Sequence, residues 1–380
     1  MKRVITVVLV LLLANSAFSL NQLETFKKAY KSLKSSNYEQ SIDNFNKLID
    51  ADQHNPSLLY NRALAKYNFS DKEGALKDLN LSISLFEFDP HAFYNRAIIH
   101  FENANYEKAI EDLNMSIALM EGYTEAHALR AKCYERSGDR TNAILDLNLA
   151  IGQHEGNADY YYDRGRLYSD EGNFNNALLD LNKCLSKSPN FKEVYWALGD
   201  LYFERNDLSM AEKNYGKYLE FDRTSVHVLQ NLGLTYFLAG DIENSVELFN
   251  EAISIDPENK DLHYNLGLVQ FEVGDFEKSV FHLSKAIESG IALGQAHYFR
   301  AKSYENLGRI EGAIGDYKKL LSTNYKTSEV KNEIIEAKVA IFFAKHWMNL
   351  LLSILMVICS ILFLRRWKLA RSLYRKAIAT

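Results

Sequence analysis

The sequence YNLGLVQFEVGDFEKSVFHLSKAIESG, at residues 264–290, shows the spacing of small and apolar residues that defines the repeat. Two small residues, Gly267 and Ser279, lie twelve positions apart, and large apolar residues follow four and eight positions after the second, at Leu283 and Ile287. This pattern occurs nine times with a fixed period of 34 residues. The second small residue of each copy is Ser41, Ala75, Ala109, Ala143, Ala177, Ala211, Ser245, Ser279 or Ala313. A fixed period of this length predicts a solenoid of stacked units.

Each 34-residue unit has the pattern of two antiparallel helices, A and B. Residues spaced by four share one face of a helix, and the two small residues allow the A and B backbones to approach closely. Eight of the nine units have Asn or Asp at the expected N-cap of helix B. Five units have Gly just before that cap, which suits a left-handed turn after helix A: Gly138, Gly172, Gly240, Gly274 and Gly308. The sequence therefore predicts an all-α fold.

The repeats resemble the tetratricopeptide repeat (TPR) family from roughly Gln22 to Lys326, and residues 94–119, 195–222 and 264–290 carry the resemblance. The resemblance implies a right-handed superhelical solenoid of nine helix-turn-helix repeats over residues 22–327, with helix A lining a concave groove. One departure is the repeat-end proline, which is in the usual place only at Pro189 and Pro257. A second is Arg in place of the family's usual Leu before the first small residue, at Arg62, Arg96, Arg130, Arg164 and Arg300.

The two ends of the chain differ from the repeats. Residues 1–19 have the basic start, apolar core and small-x-small site of a secretory signal peptide, and an uncleaved anchor is the alternative. Residues 347–364 are an apolar run without charge, which predicts a transmembrane helix; a buried core helix is the alternative. Residues 328–346 keep one apolar face and are predicted to form a capping and linker helix.

The charge distribution suggests an orientation. The tail, residues 365–380, has six bases and no acid, so the positive-inside rule predicts a cytoplasmic C-terminus and periplasmic repeats in a single-pass membrane protein. The tail and the span would then make the lipid bilayer a partner. The net charge is −5, and without the eight bases of residues 1–19 and the tail it is −13 for residues 20–364. This acidic balance argues against nucleic acid as a partner.

The sequence gives no positive indication of catalysis. It contains no catalytic or phosphate-binding motif, no paired-cysteine metal motif and only three cysteines, so we predict no enzyme activity, no cofactor and no metal site. Three histidines, His127, His263 and His297, share a helix-A register with Leu59 and Phe93. That register is interpreted as a packing position.

Helix A supplies the candidate binding residues. By the resemblance, one groove register reads Phe26, Tyr60, Tyr94, Ala128, Tyr162, Trp196, Gln230, Tyr264 and Tyr298. Large flat side chains with few rotors are favoured contact anchors, although the same rings would also pack between adjacent A helices. Both interpretations stay open.

The next register contains Asn61, Asn95, Asn231 and Asn265, with Asp163 between them. In some members of the family Asn forms a ladder here that hydrogen-bonds the backbone of an extended peptide. Leu129, Ala197 and Phe299 interrupt that ladder, and Asn is also simply common at this place. A further column on helix B is interpreted as a polar edge between repeats: Asn46, Asn80, Asn114, Asn148, Asn182 and Asn250.

These observations predict a protein–protein interaction scaffold or assembly factor that is anchored in the membrane. Its groove would bind a protein or an extended peptide. One alternative is a receptor ectodomain that signals through the membrane span to a cytoplasmic partner. Another is a tail-anchored cytosolic adaptor, which requires that residues 1–19 are not a signal peptide.

Overall fold

The computed structural model describes residues 20–290, 293–322 and 366–367. Eighteen α-helices and no strands lie in the first two of these ranges. The helices are α1 Leu20–Lys34, α2 Tyr38–Ala51, α3 Pro56–Asn68, α4 Lys72–Leu85, α5 Pro90–Glu102, α6 Tyr106–Leu119, α7 Thr124–Ser137, α8 Arg140–Gln153, α9 Ala158–Asp170, α10 Phe174–Lys187, α11 Lys192–Glu204, α12 Leu208–Phe221, α13 Val226–Ala239, α14 Ile242–Ile255, α15 Lys260–Val273, α16 Phe276–Glu288, α17 Leu293–Asn306 and α18 Ile310–Ser322. The predicted all-α repeat fold is confirmed.

The chain divides into two compact units, which we describe separately. Unit 1 ends at Arg205 and contains α1–α11. Its first ten helices form five packed A/B pairs, from α1/α2 to α9/α10, and α11 packs on α10. Unit 2 begins at Asn206 and contains α12–α18, in which α12 packs on α13 and the pairs α13/α14, α15/α16 and α17/α18 follow. Odd-numbered helices are A helices, and even-numbered helices are B helices.

Close contact between A and B helices explains the small residues of the repeat. Ser41 Oγ donates a hydrogen bond of 3.0 Å to the carbonyl of Ala29, and both residues are fully buried. Ser279 makes the same bond, of 2.9 Å, to the carbonyl of Gly267. A Cβ added at Gly267 would lie 2.8 Å from Leu283 Cγ, which is closer than real Cβ contacts allow. Larger residues at these positions would therefore push the paired helices apart.

The turn from helix A to helix B is the same in all nine repeats. The predicted Gly positions have positive φ, and so do the equivalent non-Gly residues Ser36, Ser70, Ala104 and Asn206. Seven of the eight Asn or Asp caps accept a hydrogen bond from a backbone N–H in the first turn of helix B, as Asp71 Oδ1 does from Gly74 at 2.8 Å. Asn105 is the exception, because its side chain makes no cap bond.

An arginine clamp connects successive B helices. In the third repeat Arg96 donates to both oxygens of Asp112, at 2.9 and 2.6 Å, and through Nη1 to Asn80 Oδ1 at 2.8 Å. Asp112 lies on helix B of the same repeat and Asn80 on helix B of the repeat before. The same clamp forms around Arg62, Arg130 and Arg164, and around Arg300 with the hydroxyl of Ser284 in place of Asn. The clamp accounts for the unusual Arg residues and for most of the helix-B Asn column.

The Arg and the Asp of the clamp are present together or absent together. Repeats without the Arg have the pairs Lys28/Asn44, Leu198/Asn214, Leu232/Leu248 and Leu266/His282 at the two positions. A buried carboxylate without its cation would be strongly destabilising, so loss of one partner favours loss of the other. At the last of these positions His282 contacts His263, with 3.0 Å between their Nδ1 atoms, and His263 Nε2 donates to the carbonyl of Pro257 at 3.0 Å.

The structure contradicts the predicted membrane localisation. Among the residues that it describes, no helix has both the length and the apolar character needed to cross a bilayer. The assignment of a single-pass protein with periplasmic repeats, and of the bilayer as a partner, is corrected accordingly. The segments on which it was based, residues 1–19, 347–364 and nearly all of 365–380, lie outside the described residues, as does the predicted capping helix 328–346.

Candidate binding surface

The aromatic register of helix A is partly exposed and partly packed. Tyr60, Tyr94, Tyr162, Trp196, Tyr264 and Tyr298 are all half-buried, whereas Phe26 and Ala128 of the same register are buried. In unit 1 the ring of Tyr94 lies 4.8 Å from that of Tyr123, and the ring of Tyr162 lies 4.9 Å from that of Phe191. Tyr123 and Phe191 each immediately precede the next A helix. The rings therefore pack between repeats and still leave part of their surface exposed.

Asparagine side chains of the predicted ladder form hydrogen bonds within the protein. Asn61 is 5% exposed, and its Nδ2 donates to the carbonyl of Ser57 at 2.7 Å. Asn95 Nδ2 donates to the carbonyl of His91 at 2.7 Å and to the hydroxyl of Tyr60 at 3.1 Å. The amide N–H groups of these two residues are thus engaged within the fold. Asn231 and Asn265, in unit 2, are half-buried.

Carboxylates that the sequence interpretation did not single out line the same helix face in unit 1. Glu125, Asp159 and Glu193 occupy one register, three positions before the aromatic one, on α7, α9 and α11. Residues separated by three or four positions share a helix face, so these acids lie beside the aromatic register. Glu125 and Asp159 are exposed and Glu193 is half-buried. The 34-residue period is the sequence signal that would have identified them.

Burial and neighbouring carboxylates raise the pKa values of the tyrosine hydroxyls on this face. Burial raises the pKa of Tyr162 to about 12; Arg166 opposes the rise, and Glu193, Asp163 and Asp200 add to it. Burial also raises the pKa of Tyr94, with Glu125 as the next cause. These hydroxyls stay protonated at neutral pH and remain hydrogen-bond donors in an acidic environment. We call the surface formed by Tyr60, Tyr94, Tyr162, Trp196, Glu125, Asp159, Asp163, Glu193 and Asp200 the A-face of unit 1.

Two bases beside the A-face, Lys132 and Arg166, form ion pairs within the protein. Lys132 Nζ lies 3.4 Å from Asp163 Oδ2, and Arg166 Nη2 lies 3.1 Å from Glu135 Oε1. Asp163 Oδ2 is covered and has Lys132 as its partner, and burial raises the pKa of this carboxyl although Lys132 opposes the rise. The indole N–H of Trp196 is also covered and has no acceptor among the described residues.

A shallow cavity of about 500 Å³ lies in unit 2 between α12 and α13. Its floor includes Leu232, which replaces the clamp Arg of that repeat, and its wall includes Gly216, which replaces the clamp Asn. Nothing lies within 4 Å of the position that a Cβ of Gly216 would occupy. The cavity therefore lies where this repeat lacks both the Arg and the Asn of the clamp.

The described residues contain no cluster of three or more His, Cys, Asp or Glu side chains that could hold a metal ion. Cys133 and Cys184 are buried, and burial raises the pKa of each thiol to about 12. Thiols with such a pKa are protonated at neutral pH and are poor nucleophiles.

Comparison with known proteins agrees with the repeat fold. Models of the tetratricopeptide repeat match residues 158–191, 192–225, 261–289 and 294–327, and a further TPR repeat model matches residues 233–274. The C-terminal part of a TPR repeat-containing protein from Cytophaga hutchinsonii is 18% identical, and the match covers 62% of this chain and 97% of that one with a TM-score of 0.53. A tetratricopeptide repeat protein from Parabacteroides merdae is 20% identical, with 66% and 98% covered and a TM-score of 0.50.

No curated protein matches the chain significantly. At these identities the two solved structures show a shared fold only, and the matching family models describe a repeat rather than a catalytic domain. The family models thus identify tetratricopeptide repeats within residues 158–327, and the two solved structures share the repeat fold.

Proposed function

We propose that this protein is a non-enzymatic scaffold that binds an extended segment of a partner protein along the A-face of unit 1. The observation that carries the proposal is the row of half-exposed aromatic side chains on four of the five A helices from α3 to α11, at Tyr60, Tyr94, Tyr162 and Trp196. Rings of this kind, already held by packing against neighbours such as Tyr123, lose little conformational entropy when a ligand contacts their remaining surface.

The asparagine residues have a smaller part in the proposal than the sequence suggested. The amide donors of Asn61 and Asn95 bond to helix carbonyls, so a ladder of free amides is not available in the second and third repeats. The partner's backbone would instead meet tyrosine hydroxyls. Tyr264 and Tyr298 are the equivalent residues in unit 2, where Tyr264 Oη donates to Gln295 Oε1 at 3.0 Å and Lys302 Nζ lies 5.9 Å from the centre of the Tyr298 ring.

A peptide selection with position-specific crosslinking tests this function. A displayed library of random 15-residue peptides would be selected against the full chain, and the selected peptides would be irradiated with variants that carry a photoreactive phenylalanine. Trp196 is the test position on the A-face, and Asn182, exposed on helix B of the fifth repeat, is the control position. We expect crosslinks from position 196 and none from position 182. Failure to select any peptide, or crosslinks from position 182 alone, would refute the proposal.

A further inference from the structure

We propose that unit 1 binds a second copy of this chain through a patch of exposed apolar side chains on its B helices. We call this surface the B-patch; it consists of Met115 on α6, Leu145 and Leu149 on α8, and Leu179 on α10. Between 46% and 67% of each of these residues is exposed. The B-patch lies on B helices and the A-face on A helices, so this inference goes beyond the proposed function and does not depend on it.

The repeat itself shows that apolar residues are unusual at these positions. Six positions after the second small residue, six of the nine repeats have Lys or Glu, and the exceptions are three consecutive repeats with Leu81, Met115 and Leu149. Two positions after that small residue, Leu145 and Leu179 occur in consecutive repeats, whereas five of the other seven repeats have Asp, Glu or Lys. The fold accepts charged side chains at both positions, so packing within a repeat does not explain the apolar ones.

The arginine clamps show that the side chains of the B-patch are neighbours. Arg130 bridges Asn114 on α6 and Asp146 on α8. Met115 directly follows Asn114 in the sequence, and Leu145 directly precedes Asp146. These two exposed apolar side chains therefore stand beside the same clamp, one on each helix.

The next clamp continues the patch. Arg164 bridges Asn148 on α8 and Asp180 on α10, and these two residues adjoin Leu149 and Leu179 in the same way. Within α8 the two leucines of the patch are four positions apart and share one face. The B-patch is therefore continuous across three successive B helices, which the clamps connect.

The exposed area is large enough to form the apolar centre of an interface. Contiguous apolar patches beyond roughly a few hundred Å² are uncommon on soluble monomers and mark binding surfaces. Four side chains that are about half exposed, with Leu81 extending the row on α4, offer an area of this order. Two such patches in contact, together with their polar rims, reach the total of about 1,000 Å² that a small specific interface buries.

The charges around the B-patch differ from one side to the other. Every residue of α8 and α10 is described, and the only acids of these helices, Asp146 and Asp180, are buried in clamps. Their exposed charges are all basic, at Arg140, Lys183 and Lys187. On the other side of α8, helix α6 exposes two acids and one base: Glu107, Glu111 and Lys108.

This distribution fits a second copy related by a two-fold axis beside α8. The clamps place α6, α8 and α10 side by side in that order. A two-fold axis parallel to α8 would lay α8 on α8 of the second copy, and α6 of each copy on α10 of the other. Leu145 would then face its own symmetry mate, and Glu111 of each copy would come within reach of Lys183 of the other. Opposite charges would thus meet twice at the rim of an apolar centre.

Sedimentation velocity of the full chain at about 1–100 μM tests the pairing, since small interfaces dissociate in this range. The test variant is Leu145→Lys/Leu149→Lys, which copies Lys213 and Lys217 at the same positions of the sixth repeat. The control is Phe281→Lys, which removes an exposed apolar side chain from the position of the eighth repeat that is equivalent to Leu145. We expect a reversible dimer whose dissociation constant rises at least about tenfold in the test variant and less than about twofold in the control. Circular dichroism would verify that both variants are folded.

Exchange of charges tests the two-fold arrangement. Glu111→Lys and Lys183→Glu should each weaken the dimer by about threefold or more, because each places like charges together at both ends of the interface. The double variant Glu111→Lys/Lys183→Glu should restore the parent affinity. A double variant as weak as the sum of the single changes would overturn the arrangement.

A cysteine probe tests the same arrangement independently. Cys133 and Cys184 are buried, so replacing Cys359 by Ser leaves a background suited to one added thiol. In that background we expect Leu145→Cys to form a disulfide-linked dimer under mild oxidation, because position 145 would lie at the two-fold axis. Phe281→Cys should form none, and equal linkage from both positions would overturn the inference.

Each remaining outcome also decides the question. A parent chain that stays monomeric at the highest concentration overturns the inference, and so does a dimer that the test variant leaves unchanged. A monomeric parent that binds phosphatidylglycerol vesicles, with binding lost in Leu145→Lys/Leu149→Lys, would assign the B-patch to a lipid surface and overturn the pairing. A dimer that the test variant alone weakens, and that links through position 145, supports it.

Discussion

Removing the arginine of a clamp should lower the free energy of unfolding. The loss should be larger where the remaining carboxylate has no other cation beside it. Arg96 donates two hydrogen bonds to Asp112 and one to Asn80, and the side chains of Arg96 and Asp112 are 20% and 7% exposed. The next base, His100, has its Nε2 4.0 Å from Asp112 Oδ2; burial lowers its pKa, Asp112 raises it and Arg96 lowers it, so the variants are compared at about pH 8, above the ordinary pKa range of an imidazole. Arg96→Leu would leave Asp112 nearly buried without a cation. We expect a loss of about 3–5 kcal/mol in the free energy of unfolding.

The chain itself provides two controls for this prediction. In the second repeat Asp78 accepts from Arg62 and also pairs with Lys66, whose Nζ lies 2.9 Å from Asp78 Oδ2. Arg62→Leu would therefore leave a cation in place and should cost roughly half as much as Arg96→Leu, since the desolvated carboxylate keeps one partner. The double variant Arg96→Leu/Asp112→Leu copies the apolar pair found in the seventh repeat and should recover most of the loss.

The measurement has to resolve single repeats, because arrays of this kind unfold locally. Urea unfolding of the full chain, combined with hydrogen exchange of peptides covering residues 90–119, would report both the global and the local effect. Equal losses in the free energy of unfolding for Arg96→Leu and Arg62→Leu would refute the claim that Lys66 compensates for the loss of Arg62. A double variant less stable than Arg96→Leu would refute the claim that the isolated charge, rather than lost packing, causes the destabilisation.

Three further predictions concern single positions. Ala104 has φ +57° in a turn where five other repeats have Gly, and a Cβ is disfavoured in that conformation. Ala104→Gly should therefore stabilise the protein by about 0.5–1 kcal/mol in thermal unfolding, and a lower melting temperature would count against this. Burial and the neighbouring His263 lower the pKa of His282 to about 4, below the unfolded value near 6.5. Stability should therefore be complete above about pH 6.5 and decline towards pH 4, whereas His282→Leu, which copies the Leu232/Leu248 pair, should remove that decline in pH-dependent urea melts. Gly267→Ala should cost about 1–3 kcal/mol because the new Cβ would lie 2.8 Å from Leu283 Cγ, and a melt unchanged from the parent would contradict the packing argument.

The sequence predicts the helices well because the helices of each repeat depend on the same local contacts, caps and turns. The small residues at positions such as Ala29 and Ser41 touch across the A–B contact, so their spacing determines where the two helices cross. The caps and left-handed turns are also local, and the structure shows them where Asn, Asp and Gly predict them. The turn at Ala104 was not indicated by its residue type, and only the period shows that it adopts the same conformation.

Side-chain environments were less predictable because they depend on residues one repeat away. The half-buried state of Tyr94 reflects the ring of Tyr123, 29 positions later in the chain. The amide of Asn61 appeared available to a ligand from its register, but its partner is the carbonyl of Ser57 in its own helix. The clamp joins an Arg of helix A to an Asp of its own repeat and an Asn of the repeat before, so it cannot be recognised from any one of these positions alone. The membrane assignment depended on terminal segments outside the described helices, and the described helices do not support it.

The chain contains two acidic columns with the same 34-residue period, one nearly buried on helix B and one more exposed on helix A. On helix B the carboxylates are nearly buried, and each has an arginine from its own repeat, as Asp112 has from Arg96. An arginine or aspartate left unpaired at these positions would be destabilising, which explains why both are absent in the seventh repeat. On helix A the acids Glu125, Asp159 and Glu193 have no cation among the described residues and lie beside half-exposed rings. The helix-B column is therefore the one whose paired charges stabilise the repeats, and its variants are the ones that test this account of stability.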